Sequence, residues 1–192
     1  FEKAMMERKQ ETTRELTRSA VSILEHYHRL ELAGSVTRSD AEAQARNAVK
    51  ELRYGDEGKD YFWITDRQPV MIIHPYRPDL DGKDLSNFRD PDGKALFVEF
   101  VRVTNSAGEG FVDYRWQWKD DSTRIVPKLS YVRLFEPWGW IIGTGIYVED
   151  VRQEIRRMEN RAVLISGGIG LLIIILLIII TRQSHRIEIR RR

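Results

Sequence analysis

The chain has 192 residues, with 31 Lys and Arg against 29 Asp and Glu, and no cysteine. Its length allows one ordinary domain or two small ones, and the missing cysteines exclude a disulfide framework, Cys-ligated zinc and thiolate chemistry. The basic excess belongs to a short tail: residues 1–161 carry 26 basic and 28 acidic side chains, a balance that offers no nucleic-acid-binding face.

Residues 1–32 read as one long helix. Leu16, Ala20, Ile23, Leu24, Tyr27 and Leu30 recur at spacings of three and four and define a single apolar stripe. Glu2, Lys3, Glu7 and Arg8 keep its first turns solvated. The helix begins at Phe1 without a start signal, so an earlier membrane span upstream is expected. Ala33-Gly34-Ser35 ends it. Ser39 then precedes Glu42 at the capping-box spacing and opens a second helix, which buries Ala41, Ala45, Ala48, Val49 and Leu52. Gly55 and Gly58 stop that helix.

From there the period becomes two. Tyr61–Thr65 and Val70–His74 read as a hairpin about the turn Asp66–Pro69. A loop rich in Pro, Asp and Gly runs from Pro75 to Gly93. A short helix follows, with Leu96, Phe97, Phe100, Val101 and Thr104 on one side. Phe111–Trp118, Val126–Phe135 and Trp140–Val148 read as three further strands, the first two joined by the polar turn Lys119–Arg124. Five antiparallel strands with these helices define an α+β fold.

Glu149 opens a helix that runs into Ala162–Ile180, 19 residues without a charge. As a helix this run spans about 28 Å, close to a bilayer's hydrocarbon core. It lies near the C-terminus, so it is no signal peptide. Ser166, Gly167, Gly168 and Gly170 suit close helix contact in lipid. Arginines flank it on both sides, with the five of the tail favouring a cytoplasmic C-terminus. The expected division is an extracytoplasmic domain over 1–160 (helical 1–54, sheet 59–150), a transmembrane helix over 162–181 and a basic cytoplasmic stub over 182–192.

Seventeen of the nineteen aromatic residues lie between Tyr54 and Tyr147, more than a sheet of this size needs for its core. The excess points to a lined small-molecule cavity. Several strings here resemble the single-Cache sensor domains: Tyr61-Phe62-Trp63-Ile64, His74-Pro75, Asp79 to Leu85, Gly108 to Tyr114, Pro127-Lys128-Leu129-Ser130-Tyr131, and Trp138 to Asp150. The resemblance covers about residues 10–160, in order. It implies a long N-terminal helix packed on a PAS-like five-stranded antiparallel sheet, with a ligand pocket on that sheet. It also implies an extracytoplasmic position in a bacterial chemoreceptor or sensor histidine kinase, in the inner membrane, and a small organic acid as ligand.

A two- or three-carbon carboxylate needs a cation or several donors, walled by rings that exclude water. Lys128, among strand-forming residues, is the leading cation, and a solvent-facing strand lysine is the alternative. His74, held extended by Pro75, is either a donor that titrates near neutrality or a structural histidine bonding its loop. Tyr61 with Trp63, and Tyr114 with Trp116, share faces two by two. Tyr131 belongs to the same motif as Lys128, but a regular strand turns it to the opposite face. Gly143 and Gly145 read as sites of close backbone approach or a bulge.

No catalytic site, cofactor or metal is expected, since His26, His28, His74 and His185 are scattered and neither a nucleophile elbow nor a phosphate loop is present. Asp79-Leu80-Asp81-Gly82 matches half a calcium loop and lacks the other ligands. The expected function is a sensor that binds acetate, propionate or pyruvate and signals through its membrane helix. The alternative is a ligand-free domain that forms a homodimer through the first helix and senses a protein partner.

Overall fold

The two amphipathic stretches form α1 (Glu2–Leu32) and α2 (Arg38–Glu51). The computed structural model describes the backbone of residues 2–191 and the side chains of residues 2–180, so the expected stub at 182–192 lies outside the fully described residues. Helix α1 buries Met5, Thr13, Thr17, Ala20, Val21 and Leu24. That stripe is rotated from the expected one: Val21 is inside, whereas Ile23 and Leu30 are only half-buried. The threonines explain the rotation. Their hydroxyls donate to the carbonyls of Lys9 and Thr13, at 2.7 and 2.8 Å, so neither brings an unpaired polar group to the interface. With its apolar face spent on the sheet, the outward face of α1 is largely charged. The cap of α2 is Thr37, not Ser39. Thr37 Oγ1 accepts from the Asp40 N–H at 3.1 Å, while Ser39 already lies inside the helix.

A two-stranded ribbon of β1 (Arg53–Tyr54) and β2 (Asp60–Tyr61) precedes the main sheet, so the expected strand from Tyr61 breaks at Phe62. The main sheet comprises β3 (Trp63–Asp66), β4 (Met71–Ile73), β5 (Glu109–Trp118), β6 (Asp121–Phe135) and β7 (Trp140–Tyr147). Its order is β4-β3-β7-β6-β5, antiparallel throughout. Helix α3 (Leu96–Ala107) connects β4 to β5 after the long loop. The fold is therefore α+β, with a long N-terminal helix on a five-stranded antiparallel sheet.

Alternation along the strands divides the core in two. One face packs Ile64, Phe135, Trp140 and Ile142 against Ala20, Leu24, Ala41, Ala45 and Val49 of the first two helices. The other packs Trp63, Val112, Tyr114, Trp116, Val132 and Ile141 against Leu96, Phe97 and Phe100 of α3.

Residues 1–151 form one compact unit and residues 152–192 another. The first turn of α4 (Val148–Arg191) belongs to the former. In the second unit, α4 reaches a mean hydropathy of 3.2 over its most apolar 18 residues, none of them buried. Val163 is 71% and Leu164 75% exposed. The helix is long and apolar enough to cross a bilayer.

Candidate functional site

Lys128 stands on β6 opposite Tyr114 of β5 and Tyr147 of β7. Residues paired across an antiparallel ladder share a face, so both rings flank the lysine stem. Its ammonium donates to the Tyr61 hydroxyl at 2.9 Å and the Tyr147 hydroxyl at 3.3 Å. It also lies 4.2 and 4.7 Å from the two ring centres, a cation–π arrangement. The stem crosses β7 at Gly145, where a Cβ would come within 2.9 Å of Lys128 Cε and 2.2 Å of Ser130 Oγ. At Gly143 a Cβ would run into the Trp63 ring at 2.4 Å. Both glycines are thus places of close approach.

Lys128 is 2% exposed, and its partners among the described residues are phenols, not carboxylates. Burial pushes the ammonium down to about 7, with Asp60 at longer range opposing the shift. His74 adjoins the cluster, its ring 4.9 Å from Tyr61 and 5.5 Å from Trp116. Its Nδ1 accepts from the Tyr76 N–H at 3.2 Å, so the neutral ring carries its proton on Nε2. Burial first, then the charges of Lys128 and Arg77, hold His74 well below the usual histidine range. That corrects the expectation of titration near neutrality.

Tyr114 meets the Ser130 hydroxyl at 2.8 Å. The indole N–H of Trp116 is buried beside the Tyr61 hydroxyl, and makes no hydrogen bond of regular geometry among the described residues. Trp63 shares this face but lies deeper, stacked on Phe100 at 4.6 Å. Tyr131 is on the other face, edge-on to Phe111 at 4.8 Å with the Arg14 guanidinium 5.6 Å from its ring. Its odd offset from Lys128 decides this. The structure therefore gathers Lys128, Tyr61, His74, Tyr114 and Trp116, and leaves Trp63 behind them and Tyr131 apart. Sequence reasoning left out Tyr147 and Ser130, although Tyr147 lies two residues beyond Gly145 and hence on its face.

A second buried lysine stands at the tip of the β5–β6 hairpin. Lys119 takes a left-handed turn (φ 49°) and is 5% exposed. Its backbone N–H donates to the Tyr147 hydroxyl at 3.0 Å, and that hydroxyl donates to the Gln117 carbonyl at 3.0 Å. Its ammonium lies 3.0 Å from Asp150, 3.6 Å from Glu57 and 4.0 Å from Asp60. Burial pulls Lys119 down, but these carboxylates outweigh it and hold the group above its usual value. Asp150, in the first turn of α4, also accepts from the Trp118 indole at 2.8 Å. One buried lysine is thus sated with carboxylates and the other has none.

Asp79 pairs with Arg77, and Asp81 accepts the His74 N–H at 2.9 Å. The half calcium loop is accordingly a structural turn. Among the described residues no group of His, Asp and Glu is placed to hold a metal.

A family model for Single Cache domain 2 matches residues 5–161. The chain is 45% identical over 178 residues to the methyl-accepting chemotaxis protein McpP of Pseudomonas putida, covering 93% of this chain and 32% of that protein. It is 34% identical over 152 residues to the sensor histidine kinase MctS of Rhizobium johnstonii, covering 79% and 31%. It thus spans about a third of the length of these curated relatives. A solved Cache chemosensory domain, described for carboxylic acid recognition, matches with 48% identity and a TM-score of 0.72, covering 76% of this chain and 97% of that one. A periplasmic sensor domain of a chemotaxis protein matches with 43% identity and a TM-score of 0.70, covering 74% and 96%. The chain belongs to the single Cache domain 2 family.

Proposed function

We infer that residues 1–151 bind a small monocarboxylate such as acetate, propionate or pyruvate at the Lys128 cluster. The observation that carries this reading is a buried ammonium whose described partners are phenols, beside a buried indole N–H that makes no hydrogen bond of regular geometry among the described residues. A carboxylate supplies the missing charge to Lys128 and an acceptor to Trp116. Its short apolar body suits the rings of Tyr61, Tyr114 and Trp116. A charge-assisted hydrogen bond of this kind contributes about 1.5–3 kcal/mol. The carboxylic acid recognised by the related Cache domain supports the same chemistry.

The cluster is closed, with Lys128, Tyr61, His74 and Tyr147 each 2% exposed or less. Entry therefore requires the segment carrying Tyr76 and Phe88, which lie on Tyr61 and Trp116, to part from the sheet. The domain lies outside the cytoplasmic membrane of a bacterium, and α4 carries the signal across it to the output region of a chemoreceptor or histidine kinase. The route runs from Lys128 through the Tyr147 hydroxyl and the hairpin tip to Asp150. A ligand shifts this equilibrium only through its preference for one of two conformations.

Calorimetry of the lipid-embedded chain with propionate is the test. Binding at millimolar or tighter affinity, lost in Lys128→Ala, is the expected result. No binding by the wild-type chain favours the second reading, a filled core that signals through a protein partner, for which the closure of the cluster speaks. The charged outward face of α1 is the surface through which such a receptor pairs with a second copy, and crosslinking along that face tests it.

A further inference from the structure

Beside Trp116 lies a cleft of about 320 Å³ whose wall includes Arg77, Phe88, Arg89, Arg115, Trp116 and Gln117. Three guanidiniums meet a single carboxylate there, that of Asp90. Asp90 is already spent on the backbone: it accepts from the N–H groups of Asp92, Lys94 and Arg115, at 3.0, 2.8 and 2.9 Å. Arg77 is held by Asp79 in a two-bonded fork at 2.8 Å. Arg89 donates to the carbonyls of Ser86 and Phe88 at 2.9 and 2.8 Å. Arg115 reaches the Ile125 carbonyl at 3.4 Å. The cleft therefore keeps an excess of positive charge that carbonyl oxygens do not neutralise.

A second observation is independent of charge. Four buried side-chain polar atoms have no partner among the described residues, and three of them sit on consecutive residues of this wall. They are Arg115 Nε, Trp116 Nε1 and Gln117 Oε1. Trp116 is 5% and Gln117 3% exposed. Buried polar atoms are paired in the great majority of cases. The two donors among these, Arg115 Nε and Trp116 Nε1, alternate across the edge strand β5 and lack an acceptor of regular geometry among the described residues, whereas Gln117 Oε1 is itself an acceptor and takes no part in holding an anion. Trp116 and Gln117 are also shared with the Lys128 cluster. The Trp116 ring lies 5.5 Å from His74, and the Gln117 carbonyl accepts from Tyr147.

We propose that this cleft is an outer carboxylate-binding subsite, the port at which monocarboxylates are captured before they pass Trp116 to Lys128. The proposal rests on the carboxylate reading of the inner cluster. Arg89 and Arg115 attract the anion from solvent, and Arg115 Nε gives it its first hydrogen bond. The Trp116 N–H then stands between outer and inner sites as the next donor. The Phe88 ring, 5.6 Å from that of Trp116, covers the passage. Such a port acts on the rate of association, because steering by exposed charge raises the on-rate and is screened by salt.

The experiment is stopped-flow tryptophan fluorescence of the full chain in lipid nanodiscs with propionate. It compares the wild type, the double variant Arg89→Gln/Arg115→Gln and the exposed-arginine control Arg38→Gln across ionic strength. The double variant is expected to associate on the order of tenfold more slowly, with dissociation changed by less than about twofold and a flattened salt dependence. Propionate binding that requires Lys128 but associates with the double variant at the wild-type rate overturns the port alone. No propionate binding by the wild type overturns the carboxylate reading and the port with it. Should the double variant fail to fold, the wild-type profile decides, since an on-rate indifferent to salt overturns the proposal.

Discussion

Ile142 and Gly143 are neighbours on β7, yet they serve opposite kinds of interior. Ile142 enters a mixed aliphatic and aromatic layer under α1 and α2, where the buried hydroxyls of Thr13 and Thr17 are satisfied within their own helix. Gly143 faces the aromatic layer and admits the Trp63 ring. On that side Lys128, His74 and Trp116 are buried with charges or donors incompletely matched. One face is organised for stability. The other gives up stability to keep polar groups dry, which, on the proposed reading, is what a small anion requires of its binder.

The largest test of this contrast is a pair of substitutions. Leu24→Ala, on the helical face, is expected to cost about 2–5 kcal/mol on denaturant unfolding while propionate affinity in the folded protein stays within a few-fold of wild type. Lys128→Met is expected to do the reverse. It abolishes binding yet raises stability at pH 6 by roughly 2–4 kcal/mol, since an ammonium whose pKa falls to about 7 on folding is a net cost. A destabilised Lys128→Met would break the comparison.

Gly145→Ala comes next. The added methyl meets the Leu129 carbonyl and the Lys128 stem, so a loss of about 1–3 kcal/mol is expected from overpacking. Calorimetric affinity for propionate should fall with it.

The pH dependence sharpens the same point. Between about 7 and 10.5 the unfolded chain holds a proton on Lys128 that the folded chain has released. Stability of the ligand-free protein therefore rises with pH across that window, and below it the full cost is present. On the proposed carboxylate reading, propionate favours the charged lysine and reverses this. Its thermal stabilisation should shrink as pH rises past 7, with proton uptake on binding that is measurable by calorimetry in two buffers.

The smallest expected effect is at the hairpin tip. Asp150→Asn removes the charge from the Lys119 contact and keeps an acceptor for Trp118. Affinity is expected to change less than about threefold, while stability falls by roughly 1–3 kcal/mol. The propionate-induced change in hydrogen exchange over residues 148–151 should be lost. If that change persists, the signal leaves by another path.

The alternation that pairs Tyr61 with Trp63 and Tyr114 with Trp116, and that turns Tyr131 away from Lys128, was legible from residue spacing, as were the main strands and the helices. Four things were not. Thr13 and Thr17 count as polar in any periodicity, and their bonds back along α1 appear only in three dimensions. The neutral state of His74 depends first on its burial in the folded chain and then on the charge of Lys128, distant in sequence. The partnership of Tyr147 with Lys128 depends on the β6–β7 register, and the fate of Lys119 on a turn from β5 that meets the start of α4.

The Tyr147 hydroxyl has one proton and two lone pairs, and four neighbours compete for them: the Gln117 carbonyl, the Lys119 N–H, the Lys128 ammonium and, at 3.4 Å, the Tyr61 hydroxyl. Its valence is full. An anion that claims Lys128 vacates one lone pair, and the oxygen is then free to take a different set of neighbours. On the proposed reading, the message such a centre passes is a count of bonds, whole numbers at one atom, and a strand needs to move very little for the count to change.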